Sequence, residues 1–318
     1  MSDAGDGQPY FERRTGCPFC SAPNGEALAT VRYHETAEAN RSLPDIEGAL
    51  YHCAACGIAF PSHVYALRAF PLLYAKSLAD LTYLDGSLLQ SLRKSFLKEI
   101  LRNRNLKFSL SSALDAVSLH VLQVPLLTRR PRNLRILDVG CGFGEFLEIL
   151  QALGNSVVGT EIVPGLVAQL QRRGFDIRDG EVEALDLPQR AFDVVIMRAV
   201  LYRTRHPVTT LAVMKQALAG GGELTLVDPC PQRDGVEYFF RKQFPQGQFY
   251  ILDAGRYLGM LEERFQLSCV ASRIIHGRPA AALKSARFFG HLFGLVELLA
   301  ANLFANKPYV LSYNLKAG

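Results

Sequence analysis

The stretch Leu134-Arg135-Ile136-Leu137-Asp138-Val139-Gly140-Cys141-Gly142-Phe143-Gly144-Glu145 decides the fold. Its first half is an apolar run of strand length, and it passes directly into glycines at alternate positions. A helical pattern follows in Phe146, Leu147, Ile149, Leu150 and Leu153 and stops at Gly154. Ser156 to Thr160 is a second apolar strand, ending on Glu161. The spacing predicts a βαβ unit with a glycine-rich turn and an acid closing its second strand.

Two ligand classes use such a unit. A dinucleotide site carries G-x-G-x-x-G, with a helix N-terminus facing pyrophosphate. Here the glycines run G-x-G-x-G, and Glu145 occupies the third dinucleotide position, where a carboxylate opposes pyrophosphate. A sulfonium amino acid has no phosphate to repel. Its amino group favours a nearby acid such as Asp138, and Glu161 can accept from both ribose hydroxyls.

The segment resembles motif I of the class I S-adenosylmethionine-dependent methyltransferases. Asp179-Gly180-Glu181-Val182-Glu183-Ala184-Leu185 is similar to that family's loop after strand three, which lies against adenine. Phe192-Asp193-Val194-Val195-Ile196-Met197 resembles its fourth strand. Leu218-Ala219-Gly220-Gly221-Gly222-Glu223 resembles its turn before strand five, Leu224 to Asp228. Ala254 to Phe265 reads as a helix, and Gln266 to Ile275 with Pro308 to Lys316 as a closing antiparallel pair. The resemblance covers about residues 131–318. It implies an α/β, Rossmann-like, seven-stranded, mostly parallel sheet. It also implies S-adenosyl-L-methionine held by Asp138, Gly140, Cys141, Gly142, Gly144, Glu161, Ile162, Gly180, Glu181, Val182 and Arg198. Cys141 reads as a small packing residue of the turn, not a nucleophile.

Ahead of this domain stand Cys17-Pro18-Phe19-Cys20 and Cys53-Ala54-Ala55-Cys56-Gly57. Each C-x2-C places two thiolates on one knuckle, and two knuckles make a tetrahedral S4 site that suits structural zinc. Strand-like pieces at Ala27 to Tyr33 and Ala49 to His52 predict a zinc ribbon over 11–62. The other cysteines, Cys141, Cys230 and Cys269, are single. From 63 to 130 the periodicity is helical, a connector or lid. Its helix carries Arg93, Lys94, Lys98, Arg102, Arg104 and Lys107 against Glu99, read either as a grip on an anionic substrate or as a solvated face. A further apolar helical insertion is expected at about 280–307, its apolar stretch from Phe288 preceded by Arg278, Lys284 and Arg287. It reads as a dimer helix, a lid or, less favoured, a membrane-surface helix.

The ribbon ahead of this domain resembles bacterial methyltransferases of glycan and natural-product biosynthesis, the deoxysugar type among them. That resemblance implies a small-molecule or glycan acceptor, with oxygen the expected target; the carbon-methylating group carries an extra C-terminal domain, which counts against C-methylation of a keto-sugar here. The family's L-E-H after strand four is replaced by Leu201-Tyr202-Arg203. The strand ends then offer Tyr202, His206 and Asp228 as catalytic groups, His206 as base. Asp228 either orients a hydroxyl or binds its own turn's amides. Arg203, Tyr238, Arg241 and Tyr250 are the expected acceptor-binding residues. The alternatives are an RNA methyltransferase docking through ribbon and basic helix, and a non-catalytic binding protein. Between Thr15 and Phe60 only Arg32 and Arg41 are basic arginines, a poor nucleic-acid surface.

The whole chain of 318 residues fits these units. Its 49% apolar content excludes disorder as the main state, and a net charge of +5 carries little weight for nucleic acid. MSDAGDGQPYFERR lacks the features of a signal peptide, so a cytoplasmic monomer or homodimer is expected.

Overall fold

A computed structural model of the chain describes residues 10–33, 43–70, 72–73, 132–231, 233–238, 240–241, 247–276 and 308–317. The basic helix, nearly all of the 63–130 connector, and the 280–307 insertion with Arg278 lie outside the described residues.

The N-terminal unit contains β1 (Phe11–Arg13), β2 (Ala27–Arg32), β3 (Glu47–Cys53), β4 (Ile58–Pro61) and β5 (His63–Tyr65). Strands β2, β3 and β4 form an antiparallel meander, and β1 pairs with β5. The chain is thus still extended at His63–Tyr65, where the periodicity reading begins the helical connector. The reason is packing: Tyr65 meets Phe11 and Tyr33 with ring centroids 5.1 and 6.0 Å apart.

The larger sheet is built from β6 (Arg135–Val139), β7 (Ser156–Glu161), β8 (Asp176–Asp179), β9 (Phe192–Arg198), β10 (Leu218–Pro229), β12 (Leu267–His276) and β13 (Pro308–Ala317), while a short β11 (Tyr250–Ile251) between β10 and β12 lies outside it. Its seven strands run in the order β12-β13-β10-β9-β6-β7-β8. Strand β13 is antiparallel to both neighbours, and the other pairings are parallel. Strands buried on both faces need apolar residues throughout, which is why Ile136–Leu137 and Val194–Met197 read as unbroken runs. Leu137, Val139, Val195 and Met197 enter one core. Ile136, Val194 and Ile196 enter another beneath α1 (Glu145–Ala152), which contributes Phe146, Leu147, Ile149 and Leu150. Among the described residues, the other helices of two turns or more are α2 (Pro164–Arg172), α3 (Pro207–Ala217) and α4 (Ala254–Phe265).

Strand order reverses between β6 and β9, and an open α/β sheet binds its ligand at the carboxyl ends on either side of such a switch. Asp138 sits there, opposite Ile196 of β9 and Gly159 of β7.

The two parts of the molecule are interlocked. β11, from the C-terminal part, pairs with β4 and completes the N-terminal sheet. Cys17, Phe19, Cys53, Cys56, Ile58 and Phe60 share one apolar core with Leu137, Val139, Phe249 and Tyr257. Phe19 lies edge-on to Phe249 and Tyr257, at 4.9 and 5.6 Å. Such pairs contribute about 0.5–1.5 kcal/mol each beyond area burial. Among the described residues, no helix is long and apolar enough to cross a membrane.

Candidate functional site

The turn after β6 has left-handed backbone at Gly140 (φ 64°), Gly142 (φ 56°) and Gly144 (φ 74°). Only glycine adopts this without strain. A Cβ on Gly140 would also lie 2.6 Å from Val200 Cγ2, whereas one on Gly142 would meet nothing within 4 Å. Gly142 therefore presents bare backbone to open space. Cys141 is buried against Gly159, and burial raises its thiol, which suits packing rather than reactivity.

Glu161 ties this turn to the end of β7. Its Oε2 accepts from Gly142 N (2.9 Å), and its Oε1 from Ile162 N (2.8 Å) and Val163 N (3.0 Å). Burial raises its pKa while these three amides and Arg203 pull it down. Asp138 is 3% exposed, and its Oδ2 has no hydrogen-bond partner. Burial pushes it up to about 7, against the opposing pull of Arg198. A buried, unpartnered carboxylate oxygen is costly, and it marks a place for a donor from outside the chain. Arg198 ends β9 with its guanidinium 5.3 Å from the Phe146 ring centre.

The loop after β8 comes to the same end of the sheet. Gly180 N donates to Glu161 O (3.0 Å), and Val182 is buried at the start of a 3-10 turn. Glu181 receives Arg205 in a fork, Nε to Oε1 at 3.1 Å and Nη2 to Oε2 at 3.0 Å.

Asp228, wholly buried at the end of β10, accepts from Tyr202 N (3.1 Å) through Oδ1 and from Tyr313 Oη (2.7 Å) through Oδ2. Tyr313 in turn meets Tyr257 Oη at 3.0 Å. Burial raises Asp228 to about 7, and the two donors counter it. Of the two roles the sequence leaves open for Asp228, this is the one that fixes backbone. Tyr202 is also fully buried, its hydroxyl accepting from Arg203 Nε (2.6 Å). His206 is exposed, and its carbonyl accepts from Thr210 N to begin α3. The Arg203 guanidinium lies over the Tyr202 ring and acts on Glu161.

The other expected acceptor residues are placed differently. Tyr238 is exposed. Arg241 is ion-paired with Glu237 (2.9 Å) and donates to Thr30 O of β2 (3.3 Å), so it is spent on docking against the N-terminal sheet. Tyr250 is fully buried, because β11 is drawn into pairing with β4, and it backs the Leu201–Arg203 turn from inside. The structure also brings in Arg14, Gln248, Arg205 and Tyr313, which the sequence did not single out. Gln248 N donates to Tyr202 O (2.6 Å), a pairing across the fold with no local signal.

The sulfurs of Cys17, Cys20, Cys53 and Cys56 all lie within 4.8 Å of one another. Cys17–Cys56 and Cys20–Cys53 are 3.7 and 3.6 Å apart. Four thiolates 2.3 Å from one ion form a tetrahedron with edges of about 3.8 Å, so this group could hold a metal. Gly57, with φ 67°, turns the second knuckle, and a Cβ there would lie 2.7 Å from Asp253 O at the start of α4. The contact with Cys56, and the amides of Cys20 and Phe19, favour the Cys17 thiolate. Cys230 is buried and Cys269 half-buried, burial raising both thiols.

The family model for a methyltransferase domain matches residues 117–276. A ubiquinone biosynthesis O-methyltransferase of Cereibacter sphaeroides is 34% identical over 96 residues, 28% of this chain and 39% of that protein. A malonyl-[acyl-carrier protein] O-methyltransferase of a Paenibacillus species is 30% identical over 101 residues, 28% of this chain and 37% of that one. The chain thus spans about two fifths of the length of these curated relatives. A solved S-adenosylmethionine-dependent methyltransferase from Mesorhizobium loti is 18% identical with a TM-score of 0.44, covering 64% of this chain and 97% of that one.

Proposed function

The chain belongs to a methyltransferase-domain family, and from that premise we propose that it methylates an oxygen of a small-molecule or glycan acceptor with S-adenosylmethionine. The observation that carries this reading is the buried, unpartnered Asp138 Oδ2 at the turn whose Gly142 faces open space. A ligand with a cationic amino group supplies the donor that Asp138 lacks. Glu161, fixed by three amides, retains acceptor capacity for ribose hydroxyls. In this reading Asp138, Gly140, Cys141, Gly142 and Gly144 hold the amino-acid end, Glu161 and Ile162 the ribose, and Gly180, Glu181 and Val182 the adenine. Arg198 moderates the charge of Asp138.

The cofactor supplies a methyl group already activated on a cationic sulfur, so the protein's task is mainly to position the acceptor and hold its proton. A hydroxyl acceptor needs a base. Tyr202 and Asp228 are buried with their polar atoms engaged, which leaves exposed His206 as the base of this proposal. Arg203 faces the same end and suits an anionic group on the acceptor. The O-methyltransferase activity of the relatives supports oxygen as the target.

The four cysteines form a closed sulfur set, which fits structural zinc and leaves no position for a reacting ligand. Against RNA as acceptor, Arg32 on the N-terminal sheet stands beside the carboxylates of Asp45 (3.4 Å) and Glu47 (3.8 Å), which oppose a phosphate there.

Titration with S-adenosylhomocysteine tests the cofactor half, with one molecule bound per chain expected and no heat of binding contradicting it. His206→Ala tests the chemical half. It lowers turnover on a hydroxyl acceptor by about 10²-fold and leaves S-adenosylhomocysteine affinity in place. Unchanged turnover removes His206 from the mechanism.

A further inference from the structure

Arg14 stands three residues before Cys17, on the N-terminal unit, with its own amide bonded to Ser62 O (2.7 Å). Its half-buried guanidinium reaches across to the methyltransferase part. Nη1 donates to Gln248 O (2.9 Å) and Nη2 to Arg205 O (3.3 Å). These carbonyls belong to two different stretches, one before β11 and one after the turn that ends β9. Gln248 N donates back to Tyr202 O, so Arg14 closes a ring of hydrogen bonds around residues 202–205.

Arg205 is gripped from a second side as well. Its Nη1 lies 3.3 Å from Glu12 Oε1, on β1 of the N-terminal unit. Held at its carbonyl by Arg14 and at its guanidinium by Glu12, Arg205 presents the two-pronged fork to Glu181. A fork fixes the plane of a carboxylate as well as its position, which a single contact does not. Burial lowers Arg14 to about 10, which still leaves it charged at neutral pH.

We propose that Arg14 is a positioning residue for the cofactor: acting through Arg205, it orients Glu181, so that the cysteine-bearing unit sets affinity for the nucleoside end of the ligand. This rests on the reading of Glu181 as part of the adenine loop. It gives the N-terminal unit a role in cofactor binding although none of its residues is placed in contact with the ligand.

The test is calorimetric titration of S-adenosylhomocysteine into the metal-loaded full chain, as parent, Arg14→Gln, Arg14→Lys, Glu12→Gln, Glu181→Gln and the double variant Arg14→Gln/Glu181→Gln. Arg14→Gln weakens binding about tenfold, in line with loss of charge-assisted bonds. Arg14→Lys, able to satisfy one carbonyl, recovers part of it. Glu12→Gln, at an exposed site that leaves the fold intact, weakens binding about two- to threefold. The double variant binds no more weakly than Glu181→Gln alone, because both losses run through one carboxylate. A merely structural Arg14 gives losses that add, or a lowered Tm with affinity unchanged, and either result overturns the inference. If Arg14→Gln does not fold, unchanged affinity in both Arg14→Lys and Glu12→Gln overturns it equally. A parent protein that binds no S-adenosylhomocysteine overturns the cofactor reading and this inference together. Parent binding with unaffected variants overturns this inference alone.

Discussion

Asp138 pairs a chemical demand with a measurable consequence. Its buried carboxyl is pushed up to about 7, and a cationic amino group can pair only with the ionised form. Binding of S-adenosylhomocysteine to the Asp138 site therefore strengthens as pH rises from 6 to 8 and is about tenfold weaker one unit below the pKa. Calorimetry at pH 6, 7 and 8 measures this, and Asp138→Asn flattens the profile and weakens binding at pH 8. The same shift acts on stability with the opposite slope. For Asp138 and Asp228 the folded pKa lies above the ordinary 3.8, so their contribution to stability is full below about pH 4 and is lost as pH rises through about 7. Asp138 and the glycines share one turn and Glu161 closes the following strand, so the spacing of a single βαβ unit was enough to group them. Arg14, Gln248 and Arg205 were not legible in this way, since their partners lie far along the chain and nothing in local pattern announces such a contact.

At the level of elements, the end of β10 is fastened to β13 and to α4 through Asp228, Tyr313 and Tyr257. The parallel strands themselves were readable from their apolar runs, and the closing pair β12 and β13 from the family resemblance. The lock between them was not, because sequence gave no ground for choosing between a reacting Asp228 and a bonded one. Tyr313→Phe leaves Asp228 Oδ2 buried without its donor, at a cost of about 1–3 kcal/mol. Thermal denaturation shows this as a fall of a few degrees in Tm, with S-adenosylhomocysteine affinity nearly unchanged. The strand at His63–Tyr65 was missed for a related reason. Three residues are too few for periodicity to register, and their pairing with Phe11–Arg13 is a long-range event.

Across the whole molecule, the cysteine-bearing unit and the methyltransferase sheet are joined by β11 and by a common apolar core. A ribbon tethered by a linker would melt separately, whereas this one is part of the sheet's own support. With zinc in the four-cysteine site, as proposed above, a strong chelator lowers the single main transition in calorimetry, and one equivalent of zinc restores it. A main transition unmoved by chelation contradicts that coupling. The measurement that tests the account most directly is methyl tracing. The purified chain is incubated with methyl-labelled S-adenosylmethionine and a bacterial extract separated into RNA, protein, lipid and small-metabolite or glycan pools. The account predicts label in the small-metabolite or glycan pool, matched by S-adenosylhomocysteine released. Label confined to RNA, or no label from a chain that binds the cofactor, contradicts it.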